Sequence, residues 1–387
     1  MTPLDESRLD DPRQRAAIDR TDMLRALATA GAQVRRAGSV AREAGVADGR
    51  VTGGERPRAV HLAAVGASDG VAGLLQLVLG RTGAVPLSLG GSGPLPGWVG
   101  PLDLVVAVSL SGTAAGPLGQ AREAARRGAH LLTVGAAGSP LAEAAADARG
   151  THVPLDPTTV AGHSRTALWG LATPVLLAVA DAGLATLPGG LLDRVADRLD
   201  AQAQACRPDA DSVVNPAKSL AADLSEIVPL TLGDGEVTGV AARRASTMLA
   251  RTARTPGAWG WLPDEAAPVL ACLDGPMAGS GTAPDGGRGI FADPYLDEPG
   301  GTPVGLLLLR DPVPGLEADE AERSRHNRAQ GVRERAAATG TRVIEQHAEP
   351  GHALERVAGL TALIDLASVY LGIGHGLDPA APLPPLD

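Results

Sequence analysis

The sequence predicts an α/β protein with two doubly wound domains, each built around a parallel β-sheet. Strands that are apolar along their whole length, such as 102–110 and 304–311, alternate with segments of helical periodicity. Strands buried on both faces have this character, because helices cover both sides of a parallel sheet. The second half of the chain repeats the alternation of the first, which predicts a second domain of the same class.

The first domain is predicted over residues 1–186, with an N-terminal helix ahead of it. That amphipathic helix is expected at 15–37, where apolar residues recur on one side. A strand, a glycine- and serine-containing turn and a helix follow within 58–80. The remaining elements are strands at 84–90, 102–110, 130–136 and 151–156, and helices at 114–129 and 139–150.

The second domain is predicted over residues 187–387. Two helices within 187–226, separated by a turn around 208–216, lead into it, and a loose glycine-rich stretch at 275–289 interrupts it. A proline-rich tail ends the sequence. The other elements are strands at 227–234, 267–275, 304–311 and 341–348, and helices at 238–254, 317–340 and 352–376.

Composition excludes several functional classes. The net charge of −10 over 387 residues opposes nucleic-acid binding, which needs clustered basic side chains. Cys206 and Cys272 are far apart and form no CxxC pattern, so neither a disulfide framework nor a zinc site is indicated. The N-terminus has no signal-like apolar core, and no apolar run reaches about 18 residues. We therefore expect a cytoplasmic protein without a membrane partner or cofactor.

The strand-to-helix turn at 109–113, Ser-Leu-Ser-Gly-Thr, is the most chemically suggestive segment. A helix N-terminus has unpaired N–H groups and a positive dipole end, and three hydroxyls crowd around this one. An earlier turn at 66–73 follows another strand, and the carboxyl ends of parallel strands meet at one edge of the sheet. The segment therefore predicts a phosphate site. The alternative is that the hydroxyls only cap the helix.

These turns resemble those of sugar isomerase (SIS) domains. The stretch at 365–383, "DLASVYLGIGHGLDPAAPL", resembles the C-terminus of the bifunctional phosphoglucose/phosphomannose isomerase family, and "GHSRTALWGLATPVLLA" at 162–178 resembles another of its segments. The resemblance implies two flavodoxin-like SIS domains, a homodimer and a phosphorylated hexose as ligand. The residues that it places at the phosphate are Ser68, Ser109, Ser111, Gly112 and Thr113, with Arg165 at the substrate.

The same resemblance implies an isomerase of glucose 6-phosphate and mannose 6-phosphate that works through an enediol and needs no cofactor. Such a reaction requires an acid and a base. The family's glutamate and histidine positions are occupied by Arg251 and Ala267, and the nearby groups that can titrate are Glu265 and His375. Arg251 could instead grip an anion, as a guanidinium does.

Three functions remain open from the sequence. One is an isomerase whose acid and base have moved to new positions. Another is a catalytically silent phosphosugar sensor or regulator, and the third is a scaffold that binds no sugar.

Overall fold

A computed structural model of the chain describes residues 4–278, 302–315 and 317–381, apart from 81, 82 and 84. Most of the glycine-rich stretch and the proline-rich tail from 382 onward lie outside these residues. The helices are α1 (Ser7–Asp10), α2 (Pro12–Ile18), α3 (Met23–Ala28), α4 (Ala30–Glu43), α5 (Gly70–Leu79), α6 (Ala115–Arg127), α7 (Pro140–Asp147), α8 (Leu168–Asp181), α9 (Leu191–Ala205), α10 (Pro216–Leu224), α11 (Glu236–Thr252), α12 (Ala267–Cys272), α13 (Glu320–Ala338) and α14 (Ala353–Gly374).

The nine strands of the described residues form two wholly parallel sheets. The first sheet has the order β2-β1-β3-β4-β5 and the second the order β7-β6-β8-β9. The predicted α/β class with two doubly wound parallel sheets is confirmed. The strands are β1 (Val60–Ala64), β2 (Leu87–Gly90), β3 (Leu104–Ser109), β4 (His130–Ala136), β5 (Thr151–Leu155), β6 (Val228–Gly233), β7 (Ala258–Trp261), β8 (Val304–Arg310) and β9 (Arg342–His347).

The chain divides into two compact units that differ from the predicted 1–186 and 187–387. One unit is 21–203; the other combines the first 20 residues with everything from 204 onward, and is called the C-terminal unit below. Lys218, the single lysine of the sequence, fastens the first segment there. Its buried ammonium donates to Asp10 Oδ1 at 2.7 Å and to the carbonyls of Pro208 and Ala210 at 3.0 and 2.7 Å.

The helix expected at 15–37 is interrupted. Asp22 adopts a left-handed backbone conformation with φ of 55°, which an α-helix of L-residues cannot continue. The residues before this break form α2 in the C-terminal unit, whereas those after it form α3 and α4 in the 21–203 unit. The break is therefore also the point at which the chain passes from one core to the other.

The strand expected at 267–275 is wrong, because its residues 267–272 form α12. Val269 and Leu273 are both buried in the core around β6 and β8, and a spacing of four residues puts them on one face of a helix. The sheet edge is taken instead by β7, whose residues pair with Leu230–Gly233 of β6. β7 was not predicted.

One described helix, α14, is long and apolar enough to cross a membrane by length and composition. Within the described residues, 89% of its apolar window is buried inside the fold. A core helix has this burial, and α14 packs against α10 and α11. Its apolar character is therefore explained by packing.

Candidate functional site

The predicted phosphate turn lies at the carboxyl edge of the first sheet. β3 ends at Ser109, and the strand order reverses between β1 and β3, so the turn stands at the topological switch point of a doubly wound sheet. Ser109 is buried, while Ser111 and Thr113 are exposed, with their hydroxyls 2.8 Å apart. The turn thus presents two neighbouring hydroxyls to solvent.

Backbone conformation explains the glycine in this turn. Gly112 is left-handed with φ of 69°, and a Cβ there would overlap the hydroxyl of Ser139. Ser139 in turn caps α7 by accepting from the N–H of Ala142 at 3.4 Å. The sequence predicts the helix start at 139, but it does not indicate that Ser139 lies against Gly112.

The start of α6 carries no side-chain cap. Its N-cap residue is Ala114, and Ser109 Oγ accepts from the N–H of that residue at 3.4 Å rather than from a later position. The other contact of the turn, from the N–H of Thr113 to Ser111 Oγ at 3.3 Å, also precedes the helix. Within the described residues, these hydroxyls therefore do not cap α6. The N–H groups of Ala115 and Gly116 have no partner inside the helix.

A buried network holds the loop after β2 against α6. Gln120 donates from Nε2 to the carbonyls of Gly91 and Gly93 at 3.1 and 2.8 Å, which leaves its Oε1 to accept from His61 Nε2 at 2.7 Å. The other ring nitrogen of His61 lies 2.7 Å from the hydroxyl oxygen of Ser88, which can donate or accept. Burial lowers the pKa of His61, so the ring is neutral at pH 7.

The turns that contain Ser68 and Arg165 pack against each other. Ser68 is buried in the 3₁₀ turn Gly66–Asp69 after β1, and Arg165 is buried in the 3₁₀ turn Ser164–Thr166 before α8. β1 pairs directly with β3, with Ala64 beside Val108. The 21–203 unit therefore brings the two serine turns to adjacent strand ends and places the turn of Arg165 next to one of them.

The remaining candidates lie in the C-terminal unit, at two different edges of its sheet. Arg251 is in the last turn of α11, and His375 caps the C-terminus of α14. These helix ends meet, because a Cβ on Gly372 would lie 2.9 Å from the carbonyl oxygen of Thr252. α11 starts at the carboxyl end of β6, so its own end lies at the amino edge of the sheet.

Glu265 and Ala267 are exposed and follow β7 at the carboxyl edge. Within the C-terminal unit, the titratable candidates Glu265 and His375 therefore do not form one cluster.

A family model described as the bacterial phospho-glucose isomerase C-terminal SIS domain matches residues 213–384. This part of the chain belongs to that SIS-domain family. No curated protein sequence matches the chain.

Several solved structures share the fold of nearly the whole chain. A hypothetical protein of Thermus thermophilus matches with a TM-score of 0.66 and 14% identity, over 97% of this chain and 90% of its own. A glucose-6-phosphate isomerase like protein of the same organism matches with a TM-score of 0.52 and 18% identity, over 96% and 94%. The C-terminal domain of glucosamine-fructose-6-phosphate aminotransferase from Francisella tularensis matches with a TM-score of 0.57 and 14% identity, over 92% of this chain and 97% of its own.

A buried ion pair joins α11 to the segment at 365–383, which carries part of the SIS-family resemblance. Arg244 donates from Nε to both carboxylate oxygens of Asp365 at 3.0 and 3.1 Å, and from Nη2 to Oδ2 at 2.6 Å. Tyr370 lies in the same C-terminal motif, fully buried, and its hydroxyl donates to the carbonyl of Cys206 at 2.8 Å. The side chains of this motif that the structure describes here thus hold α14 in the core.

Proposed function

We propose that this chain is a cytoplasmic phosphosugar-binding protein that holds a phosphorylated hexose by its phosphate at the turn of Ser109, Ser111, Gly112 and Thr113. The observation that carries the proposal is the uncapped start of α6 beside two exposed hydroxyls. A phosphate oxygen placed there would accept from backbone N–H groups and from Ser111 and Thr113. Hydrogen bonds to a charged group contribute about 1.5–3 kcal/mol each, and no lysine is needed for them.

The buried surroundings of the turn support the same role. Gly112 lets the backbone approach an anion closely, and the His61–Gln120 network fixes the loop that packs on Gly116. Ser68 and Arg165, whose turns pack against each other at the neighbouring strand end, would complete the site. Arg165 would then act as a guanidinium partner of the sugar or its phosphate.

We further propose that the chain binds the sugar without converting it. Aldose–ketose isomerisation through an enediol moves a proton between C1 and C2, and the family's positions for that chemistry hold Arg251 and Ala267. Glu265 and His375 lie at opposite edges of their sheet, so they do not replace the lost pair within one unit. A sensor or regulator of sugar phosphates is the function that these residues favour.

The competing proposal is an active glucose-6-phosphate/mannose-6-phosphate isomerase. It is favoured by the SIS-family match over 213–384 and by the exposed carboxylate of Glu265 two residues before Ala267. It requires a second catalytic acid or base besides Glu265, which the partner subunit of a homodimer would supply.

Carbon-13 NMR of labelled fructose 6-phosphate mixed with the purified protein separates the proposals. We expect line broadening without new sugar signals, and about tenfold or weaker affinity in Ser111→Ala. Ser39→Ala, which alters an exposed serine of α4 in the same unit, is the matched control and should bind as wild type. Growth of glucose 6-phosphate or mannose 6-phosphate signals would establish the isomerase instead. A spectrum unchanged by the protein would exclude both binding and isomerisation and would favour the scaffold function.

A further inference from the structure

A cavity of about 470 Å³ lies in the 21–203 unit. Its walls are α4, the residues at and just after the carboxyl ends of β3, β4 and β5, the 3₁₀ turn Pro157–Val160 and the start of α8. Small-molecule sites usually have volumes of about 300–1,000 Å³. The cavity is therefore large enough for a metabolite.

This cavity is separate from the phosphate turn, because it lies on the other face of the sheet. Val105 and Ala107 pack under α6 and α7, and Ser109 continues that face. Leu110, the first residue after β3, lines the cavity together with residues of α4 and α8, which cover the opposite face. A ligand here would not compete with one at Ser111.

Most of the lining is apolar. Val40 of α4, Leu110, Leu155 and Val160 contribute aliphatic side chains, and Ala136 and Pro154 belong to the same wall. The amide of Gln33 is already occupied, since Nε2 donates to Thr166 O at 2.8 Å and Oε1 accepts from Gly170 N at 3.3 Å. Sugar hydroxyls buried on such walls would lose their hydrogen bonds to water without replacement. A hexose is therefore a poor occupant.

Charged groups of both signs stand at the rim. Arg36 and Glu43 are exposed on α4, and Asp156 follows β5. Among the residues that the structure describes, none forms an ion pair with Arg36 within 4.0 Å, although its charge helps to lower the pKa of Asp156. The main cause of that lowering is the hydrogen bond from the side chain of Thr158, followed by that from its backbone N–H. Asp156 is thus ionised at neutral pH.

We infer that this cavity binds a free α-amino acid with an aliphatic or aromatic side chain. The side chain would fill the apolar interior, the carboxylate would pair with Arg36, and the ammonium group would lie between Asp156 and Glu43. One cation and two carboxylates around an apolar interior complement a zwitterion with an apolar side chain better than they complement an anion or a neutral sugar. The 21–203 unit would then carry two sites, one for a phosphate and one for an amino acid, on opposite faces of its sheet.

Isothermal titration calorimetry of the full chain with L-leucine and L-phenylalanine tests this assignment. We expect binding of at least one of them, and about 10–100-fold weaker binding to Arg36→Gln, the loss expected for one charge-assisted hydrogen bond. Arg42→Gln changes the same residue type on α4 outside the cavity and should bind as wild type. L-leucinamide, which lacks the carboxylate, should bind about as weakly to wild type as L-leucine does to Arg36→Gln.

The assignment is overturned if neither amino acid binds at millimolar concentration, or if Arg36→Gln binds them as tightly as wild type. The main competing occupant of the cavity is a second copy of the chain. Sedimentation velocity of the Val40→Arg variant tests for it. A lower sedimentation coefficient in that variant, without amino-acid binding to wild type, would identify an interface between copies and also overturn the assignment.

Discussion

Arg244 and Asp365 form a bidentate, almost fully buried ion pair that links α11 to α14. Burial raises the pKa of Asp365, and the charge and hydrogen bonds of Arg244 act against that rise. Neither side chain belongs to the proposed phosphate site.

Removing one partner of this pair should be costly. Asp365→Ala leaves the Arg244 guanidinium buried without its counter-charge, and we expect a loss of about 3–5 kcal/mol in the free energy of unfolding. The joint replacement Arg244→Met with Asp365→Leu should lose much less, because no charge is then buried alone. Urea denaturation measures both. A loss below about 1 kcal/mol in Asp365→Ala would mean that the pair contributes no more than an exposed one.

Replacing Gly112 should destabilise the protein, whereas replacing Gly119 should not. In Gly112→Ala the left-handed backbone is strained and the new methyl group overlaps Ser139, so we expect about 1–3 kcal/mol of destabilisation and loss of phosphosugar binding. Gly119 lies in α6 with open space around its Cβ position. Gly119→Ala should therefore raise stability by about 0.4–1 kcal/mol and leave binding unchanged. Thermal unfolding with and without fructose 6-phosphate compares the two variants.

Lys218 should hold the N-terminal helices α1 and α2 against the rest of the C-terminal unit. Lys218→Met removes the ammonium from Asp10 and leaves the carbonyls of Pro208 and Ala210 without this donor. The loss at the buried carbonyl of Ala210 alone costs about 1–3 kcal/mol. We expect faster amide hydrogen exchange across α1 and α2 than in wild type, with the exchange of α4 unchanged. Equal protection of α1 and α2 in both proteins would show that Leu9 and its apolar neighbours hold the segment without Lys218.

The free energy of unfolding should fall as the pH drops below about 6.5. Burial lowers the pKa of His61 from 6.5, so in this range the unfolded chain takes up a proton that the folded His61 ring does not. The fall should continue until the pH reaches the lowered pKa. His61→Asn should be less stable than wild type at pH 7.5 but lose less stability between pH 7 and pH 5. His152, whose pKa burial also lowers, should contribute in the same direction.

The strands that the sequence predicts well are those buried on both faces, since an apolar run such as 130–136 has few other folded environments. The turn of Ser109–Thr113 is predictable for the same reason, because it follows such a strand. The helix α12 and the strand β7 are not, since short apolar segments fit either structure and only the core around Val269 and Leu273 decides between them.

Contacts between distant segments could not be predicted. That Gly112 lies against Ser139 depends on how α6 and α7 pack, and the partners of Lys218 come from two other parts of the chain. No local pattern encodes such pairs. The cavity beside Arg36 has the same origin, because α4, β5 and α8 form it together only after folding.

The division of the chain also orders its folding in time. The backbone N–H of Asp5 bonds to the carbonyl of Gly374, so the C-terminal unit joins residues separated by almost the whole length of the sequence. During synthesis the 21–203 unit can acquire all of its strands while residues 4–20 still have nothing to pack against. A fragment that starts at 204 would expose the apolar surface that covers Leu9. The phosphate turn could therefore mature on the ribosome before its companion unit exists.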